Sequence, residues 1–200
     1  MSAETIARLH IVLDEIEPAI WRRVDVPVTA SLKMLHDIVQ AAMGWANCHL
    51  WHFEAGDRRY GIPDRMWPES CMTAAKNVKL ATLIDRGVRE LVYTYDMGDD
   101  WRHTIIIESV GPGEPDVKYP RFVDGEWCCP PEDVGGLPGF EMFLDARADP
   151  SHEDHDRLRE WYGTPYHAAD IDERFTRRAV AAIAIRRHAG KLAYQKSRAQ

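Results

Sequence analysis

Leu91-Val92-Tyr93-Thr94-Tyr95-Asp96-Met97-Gly98-Asp99-Asp100-Trp101-Arg102-His103-Thr104-Ile105-Ile106-Ile107 holds two runs of β-branched and aromatic residues around a connection of acids and one glycine. Branched and aromatic side chains suit a pleated, half-buried surface, whereas Asp and Gly suit turns. The stretch therefore reads as two strands, 91–95 and 101–110, joined through 96–100. Upstream, Ala7, Leu9, Ile11 and Leu13 recur at period two, the mark of a half-buried strand. Residues 20–26 make a second, with Ile20, Arg22, Val24 and Val26 on one face and Pro27 at its end. These two form an antiparallel hairpin. Ser31 then opens a helix whose Leu32, Leu35, Ile38, Val39, Ala42 and Met43 lie on one stripe, and Gly44 stops it. Residues 48–53 read as a strand that Gly56-Asp57 turns toward 59–62. Residues 63–77 read as an irregular excursion, and Leu80, Leu83 and Ile84 mark a short helix before Gly87.

Downstream the character changes. Residues 111–139 carry six prolines and read as a long loop. Phe140, Phe143 and Leu144 mark a short helix, and Ser151, with Asp154 three residues on, caps the next. A last helix runs from about Asp172, with Phe175, Ala179, Ala182, Ile183 and Arg186 in register. Strands gather before residue 110 and helices after 139. That is the pattern of an α+β fold: an antiparallel or mixed sheet covered by helices, with one helix between the N-terminal strands and a helical C-terminal part.

At 200 residues, with 45% hydrophobic and 28% charged, the chain fits one domain, 1–200, with a real core. A net charge of −7 argues against a protein held on nucleic acid by overall charge and leaves room for a local basic face. The charge is uneven. Residues 120–173 carry 14 acids against 4 arginines, and the basic C-terminal helix, 174–200, carries 8 Lys/Arg and no acid. No basic start followed by an apolar run is visible, and no stretch approaches the roughly 18 apolar residues of a membrane span. The expectation is a cytoplasmic protein, off the membrane, with Cys48, Cys71, Cys128 and Cys129 reduced.

Chemistry-capable groups are densest in Trp127-Cys128-Cys129-Pro130-Pro131-Glu132-Asp133-Val134-Gly135-Gly136. Its prolines fix φ and its glycines admit angles that other residues avoid, so it reads as a rigid, shaped loop. Folded over the 96–103 turn, it would form a polar crevice from Asp96, Asp99, Asp100, Trp101, His103, Cys128, Cys129, Glu132 and Asp133. His49, His52 and His103 are metal-ligand candidates of low specificity. On a strand, 49 and 52 point to opposite faces, and no Cys-x-x-Cys or His-Glu-x-x-His is present. No cofactor is expected, with a metal ion as the minor alternative. His152-Glu153-Asp154-His155 reads as a solvated helix start. Paired arginines (Arg22-Arg23, Arg177-Arg178, Arg186-Arg187) are polyanion-binding candidates. Through the C-terminal helix they would meet nucleic acid or an acidic protein partner. No helix-turn-helix, zinc-finger or RNP signature accompanies them.

Four stretches taken together carry a resemblance. They are Pro18-Ala19-Ile20-Trp21-Arg22-Arg23 with residues 35–45; His49-Leu50-Trp51-His52-Phe53; residues 93–103; and residues 129–136 running into Gly139-Phe140. In that order they resemble the plasmid pRiA4b ORF-three-like family, often labelled an insertion-element passenger of the TnpR type, over roughly residues 5–185. The resemblance implies a compact α+β domain of bacteria or archaea, often encoded near mobile elements, with no established activity. The resulting expectation is a binding or accessory module associated with mobile genetic elements. The alternative is a small hydrolase or metal-dependent enzyme using the crevice between 96–103 and 128–136. A basic concave face would favour the first, and titratable groups in mutual contact would favour the second.

Overall fold

The computed structural model describes residues 3–63 and 72–198. Its strands are β1 (Thr5–Leu13), β2 (Trp21–Pro27), β3 (Trp51–Ala55), β4 (Arg58–Gly61), β5 (Thr73–Ala74), β6 (Glu90–Tyr95), β7 (Trp101–Pro112) and β8 (Arg121–Glu126). They form one sheet in the order β5-β4-β3-β6-β7-β1-β2-β8. Every neighbouring pair is antiparallel except β4 and β5. The helices are α1 (Leu32–Met43), α2 (Leu80–Asp85), α3 (Gly136–Ala148), α4 (His155–Tyr162) and α5 (Glu173–Arg198). The fold is α+β, with a mixed sheet. Among the described residues no helix is long and apolar enough to cross a membrane.

Local chemistry sets the first elements. Ser31 Oγ accepts from the Met34 amide at 3.2 Å and starts α1, and Gly44, at φ 91°, ends it with its N–H on Gln40 O. That left-handed C-cap costs glycine little and would strain any side chain. The stripe Leu32, Leu35, Ile38, Val39 and Ala42 is fully buried. Burying each larger member contributes about 1.5–3 kcal/mol relative to exposure. β1 and β2 pair as a hairpin, and Ile20, Arg22, Val24 and Val26 all turn inward. β6 and β7 pair from Glu90↔Ile106 to Tyr95↔Trp101, so residues 96–100 form a turn at one end of the sheet.

Five local expectations are corrected. The Pro-rich loop contains a strand, β8, which pairs with β2. No proline falls within Arg121–Glu126, so its amides are free to donate. Residues 48–50 precede β3 and do not belong to it. Asp154, not Ser151, holds the N-cap position of α4, because Ser151 Oγ is bonded to Asp149 at 2.7 Å. The buried face of α5 is Thr176, Val180, Ile183 and Ala184, whereas Phe175, Ala182 and Arg186 are exposed. Contacts outside the helix set that rotation: the Arg177 guanidinium donates to Phe122 O at 3.0 Å and Val123 O at 3.2 Å on β8. The irregular excursion resolves into β5 and a 3-10 turn, Ala75–Asn77; residues 64–71, Cys71 included, lie outside the described residues.

Candidate functional site

Three segments meet at the end of the sheet where β6 turns into β7. The first is 45–50, between α1 and β3. The second is the turn 96–100, and the third is the loop 127–136 that leads into α3. The first two are stitched by the Asp96 amide on Leu50 O at 2.9 Å. The loop is fixed from four sides. Trp45 Nε1 donates to Pro130 O at 2.9 Å, and the Cys128 amide donates to Ala168 O at 2.7 Å. The Tyr166 hydroxyl donates to Cys128 O and Cys129 O at 3.2 Å, and the Gly135 amide donates to Asp99 Oδ2 at 3.2 Å. Gly136, at φ 66°, lies so close to the turn that an added Cβ would sit 2.9 Å from Asp99 O. The Gly-Gly of the loop therefore lets its backbone close onto the turn.

Four side chains converge in the resulting crevice. His49 Nε2 lies 3.0 Å from Asp133 Oδ1, 3.4 Å from Asp96 Oδ2 and 3.8 Å from Glu132 Oε2. That nitrogen is buried, yet no carboxylate lies along its ring N–H direction, so it has no hydrogen-bond partner. The acids are held by other contacts. Asp96, at φ 56°, uses Oδ1 to accept from the Gly98 and Asp99 amides at 2.8 and 3.3 Å, which leaves Oδ2 facing His49. Glu132 Oε1 accepts from the Ala46 amide at 2.6 Å and the Tyr95 hydroxyl at 3.1 Å. Burial pushes the Tyr95 hydroxyl well above its ordinary value, so it remains a donor. Asp133, at φ 57°, is 68% exposed and stands at the mouth. Cys48, also exposed, has its Sγ 3.7 Å from the Tyr95 hydroxyl. Two sets of donors each have their ligand atoms within 4.8 Å of one another: His49, Asp96 and Asp133, and Cys48, His49 and Glu132.

Other candidates lie elsewhere. Asp99 binds the loop to the turn, and Asp100 is exposed and outside the cluster. Trp101 is core, stacked on Trp45 with centroids 6.2 Å apart. His103 is fully buried and directs Nδ1 at Trp101 O and Tyr93 O; burial pulls its pKa down to about 4, so it is neutral at pH 7. His52 is on β3, beside Glu54 at 3.5 Å. The thiols line a neighbouring cavity of about 440 Å³ together with Trp161, Tyr162 and Phe175. Burial raises both, Cys129 to about 11, which keeps them protonated. Sequence reasoning missed His36, whose Nε2 meets Asn47 Oδ1 at 2.6 Å and so holds the 45–49 segment. It sits within the apolar stripe of α1, where a polar residue signals a buried bond.

The arginine candidates do not form one face. Arg22 is buried to 1% exposure, with donors on Ala42 O, Trp21 O, Glu126 O and Cys129 Sγ, which removes it from any polyanion surface. Arg23 makes a two-pronged pair with Glu108 at 2.9 Å. Arg177 pairs with Glu173, and Arg187 with Glu4. Arg178 and Arg186 are exposed on α5.

The comparisons with known proteins agree with this architecture. An archaeal crystal structure, the "Protein of Unknown Function MM3350 from Methanosarcina mazei Go1", superposes with a TM-score of 0.79 at 29% identity, over 86% of this chain and 98% of its own. "Uncharacterized protein y4hQ" of Sinorhizobium fredii (strain NBRC 101917 / NGR234) is 41% identical over 160 residues, 80% of this chain and 82% of its own length. The family model described as "Plasmid pRiA4b ORF-3-like protein" matches residues 5–174, a span that includes every residue of the His49 cluster. With that span and that relative, the chain belongs to the plasmid pRiA4b ORF-3-like family.

Proposed function

We propose that this chain is a binding module whose ligand is cationic and whose site is the crevice around His49. One observation carries the reading. Asp96, Glu132 and Asp133 converge on one imidazole nitrogen, and no Lys or Arg pairs with any of them among the described residues. Carboxylates this close repel, and one imidazolium can balance one of three charges. An added positive charge relieves that repulsion. No nucleic-acid contact belongs to this reading, because four of the six candidate arginines are engaged inside the fold.

The test is thermal unfolding of the full chain at low salt with spermidine, arginine amide and the chlorides of Mg²⁺, Ca²⁺, Mn²⁺ and Zn²⁺. A ligand at a hundred times its Kd stabilises by about 2.7 kcal/mol, roughly 5–10 °C for a chain of this size. At least one cation raises the native Tm and leaves an Asp96→Asn/Asp133→Asn variant unmoved. A panel without any such cation overturns the reading.

A second reading, a metal-dependent hydrolase, draws on the cavity of about 440 Å³ beside Glu132, walled by Trp45, Trp161, Tyr162 and Phe175. A substrate lodged there would present its reacting bond to the crevice. Turnover of simple esters or phosphoesters that Asp133→Asn abolishes would establish it.

A further inference from the structure

We infer that the cation is a divalent first-row transition metal, held by His49 Nε2, Asp96 Oδ2 and Asp133 Oδ1. This rests on the cationic reading above and gives the ligand its chemical class.

The distances carry the inference. Two donors each about 2.1 Å from one ion are roughly 3.0 Å apart at a right angle and roughly 3.4 Å apart at a tetrahedral angle. His49 Nε2 lies 3.0 Å from Asp133 Oδ1 and 3.4 Å from Asp96 Oδ2. The nitrogen is buried and without a hydrogen-bond partner, because the carboxylates flank its lone-pair axis and do not lie on it. The three donor atoms lie within 4.8 Å of one another, a spacing that one ion can bridge. The donor types choose the metal: imidazole suits zinc, iron, nickel and copper, whereas a site for Mg²⁺ or Ca²⁺ is built from oxygens alone.

The surroundings match those of ligands held in place. Asp96 Oδ1 is fixed by two amides of its own turn, which aims Oδ2 inward. Glu132, 3.8 Å from the nitrogen, is fixed by the Ala46 amide and the Tyr95 hydroxyl. It stands next to the ion and can receive a hydrogen bond from metal-bound water. Outer partners of this kind orient ligands and sustain affinity. Three protein ligands leave a coordination position open, as in sites that bind a further molecule, and exposed Asp133 marks the entry.

The experiment is calorimetric titration of chelator-stripped, full-length protein with Zn²⁺, Mn²⁺, Mg²⁺ or Ca²⁺ alone, with the absorption spectrum of the Co²⁺-loaded protein as a second readout. The expected result is one equivalent of Zn²⁺, bound at least roughly 100-fold more tightly than Mg²⁺ and Ca²⁺, with Mn²⁺ weaker than Zn²⁺. His49→Gln and Asp133→Asn each weaken it by roughly 10–100-fold or more and alter the Co²⁺ bands. Circular dichroism shows that both variants are folded. His152→Gln, in the remote acidic patch, changes neither. Binding that survives His49→Gln, or equal affinity for Mg²⁺, overturns the inference. If spermidine or arginine amide binds at Asp96 and Asp133 and no transition metal does, the inference fails and the cationic reading stands. If nothing binds, both fail.

Discussion

Arg22→Met should destabilise the fold by about 2–5 kcal/mol, because Arg22 is a buried cation with no carboxylate partner among the described residues. Its Nε donates to Ala42 O at 2.9 Å, Nη1 to Trp21 O and Glu126 O at 2.7 Å each, and Nη2 to Cys129 Sγ at 3.4 Å. Ala42 lies in the last turn of α1, where the negative end of the helix dipole favours a cation. Methionine keeps the length and apolar stem and removes every donor. Losing the three bonds to carbonyl oxygens from a charged group costs about 4.5–9 kcal/mol in sum, at about 1.5–3 each, before the weaker bond to sulfur is added. Relief from burying the charge returns several kcal/mol of that, which leaves the net figure above. For a chain of this size the corresponding fall in Tm is roughly 5–15 °C. Urea unfolding with matched m-values measures it. Arg22→Lys restores the charge without the spread of donors and should recover only part of the loss. Because Arg22 ties α1, β2 and residues 126–129 together, Arg22→Met should also make Cys129 react faster with a thiol reagent. A loss below about 1 kcal/mol, with Cys129 still inert, would refute the argument.

Leu35, fully buried on α1, should cost about 2–5 kcal/mol on Leu35→Ala in the same assay. Glu4 joins the N-terminus to α5 through Arg187 and Lys191; burial alone would raise its pKa, but those two cations hold it at about 2 against an ordinary 4.5. A depressed carboxyl contributes stability that is complete above pH 4.5 and lost as pH falls toward 2. The Tm difference between native protein and Glu4→Gln should therefore shrink across that window, and a constant difference would count against the pairing. Cys48, Cys128 and Cys129 are free, and four thiols should be counted in denatured, unreduced protein. Of the three described thiols, exposed Cys48 should react first and buried Cys129 last in the native state; fewer than four thiols in denatured protein would show a disulfide.

Local signals by themselves set the hairpins β1–β2 and β6–β7, the first helix and the fold class. Period two in β1, the Asp/Gly connection after Tyr95, and the Ser31 and Gly44 caps each act within a few residues, so they are readable along the chain. The rule that residues 49 and 52 diverge on a strand, applied to a segment that precedes β3, led away from His49. Composition pointed to the 128–136 loop and the 96–103 turn, and Asp96, Glu132 and Asp133 come from those two segments. Which of their groups meet was not legible. Trp101, His103 and Cys129 have the right chemistry for a site and are core, because Trp45 covers the first two and Met43 and Arg22 cover the third.

The sequence determined β1, β2, β6, β7 and α1, because backbone propensity, capping and the period of apolar residues are local quantities. The tertiary structure alone decided the centre of the site. Gly44 turns the chain out of α1, the His36–Asn47 bond holds 45–49, and the Gly-Gly approach to Asp99 closes the loop. His49 is brought to Asp96 and Asp133 only when all three have acted. Those residues are 47 and 84 positions apart in sequence from His49, and no local periodicity encodes a distance of 3.0 Å across such separations. Arg22 shows the same limit: a charge on the core face of a strand reads as an anomaly until the carbonyls of α1, β2 and residue 126 are seen to surround it.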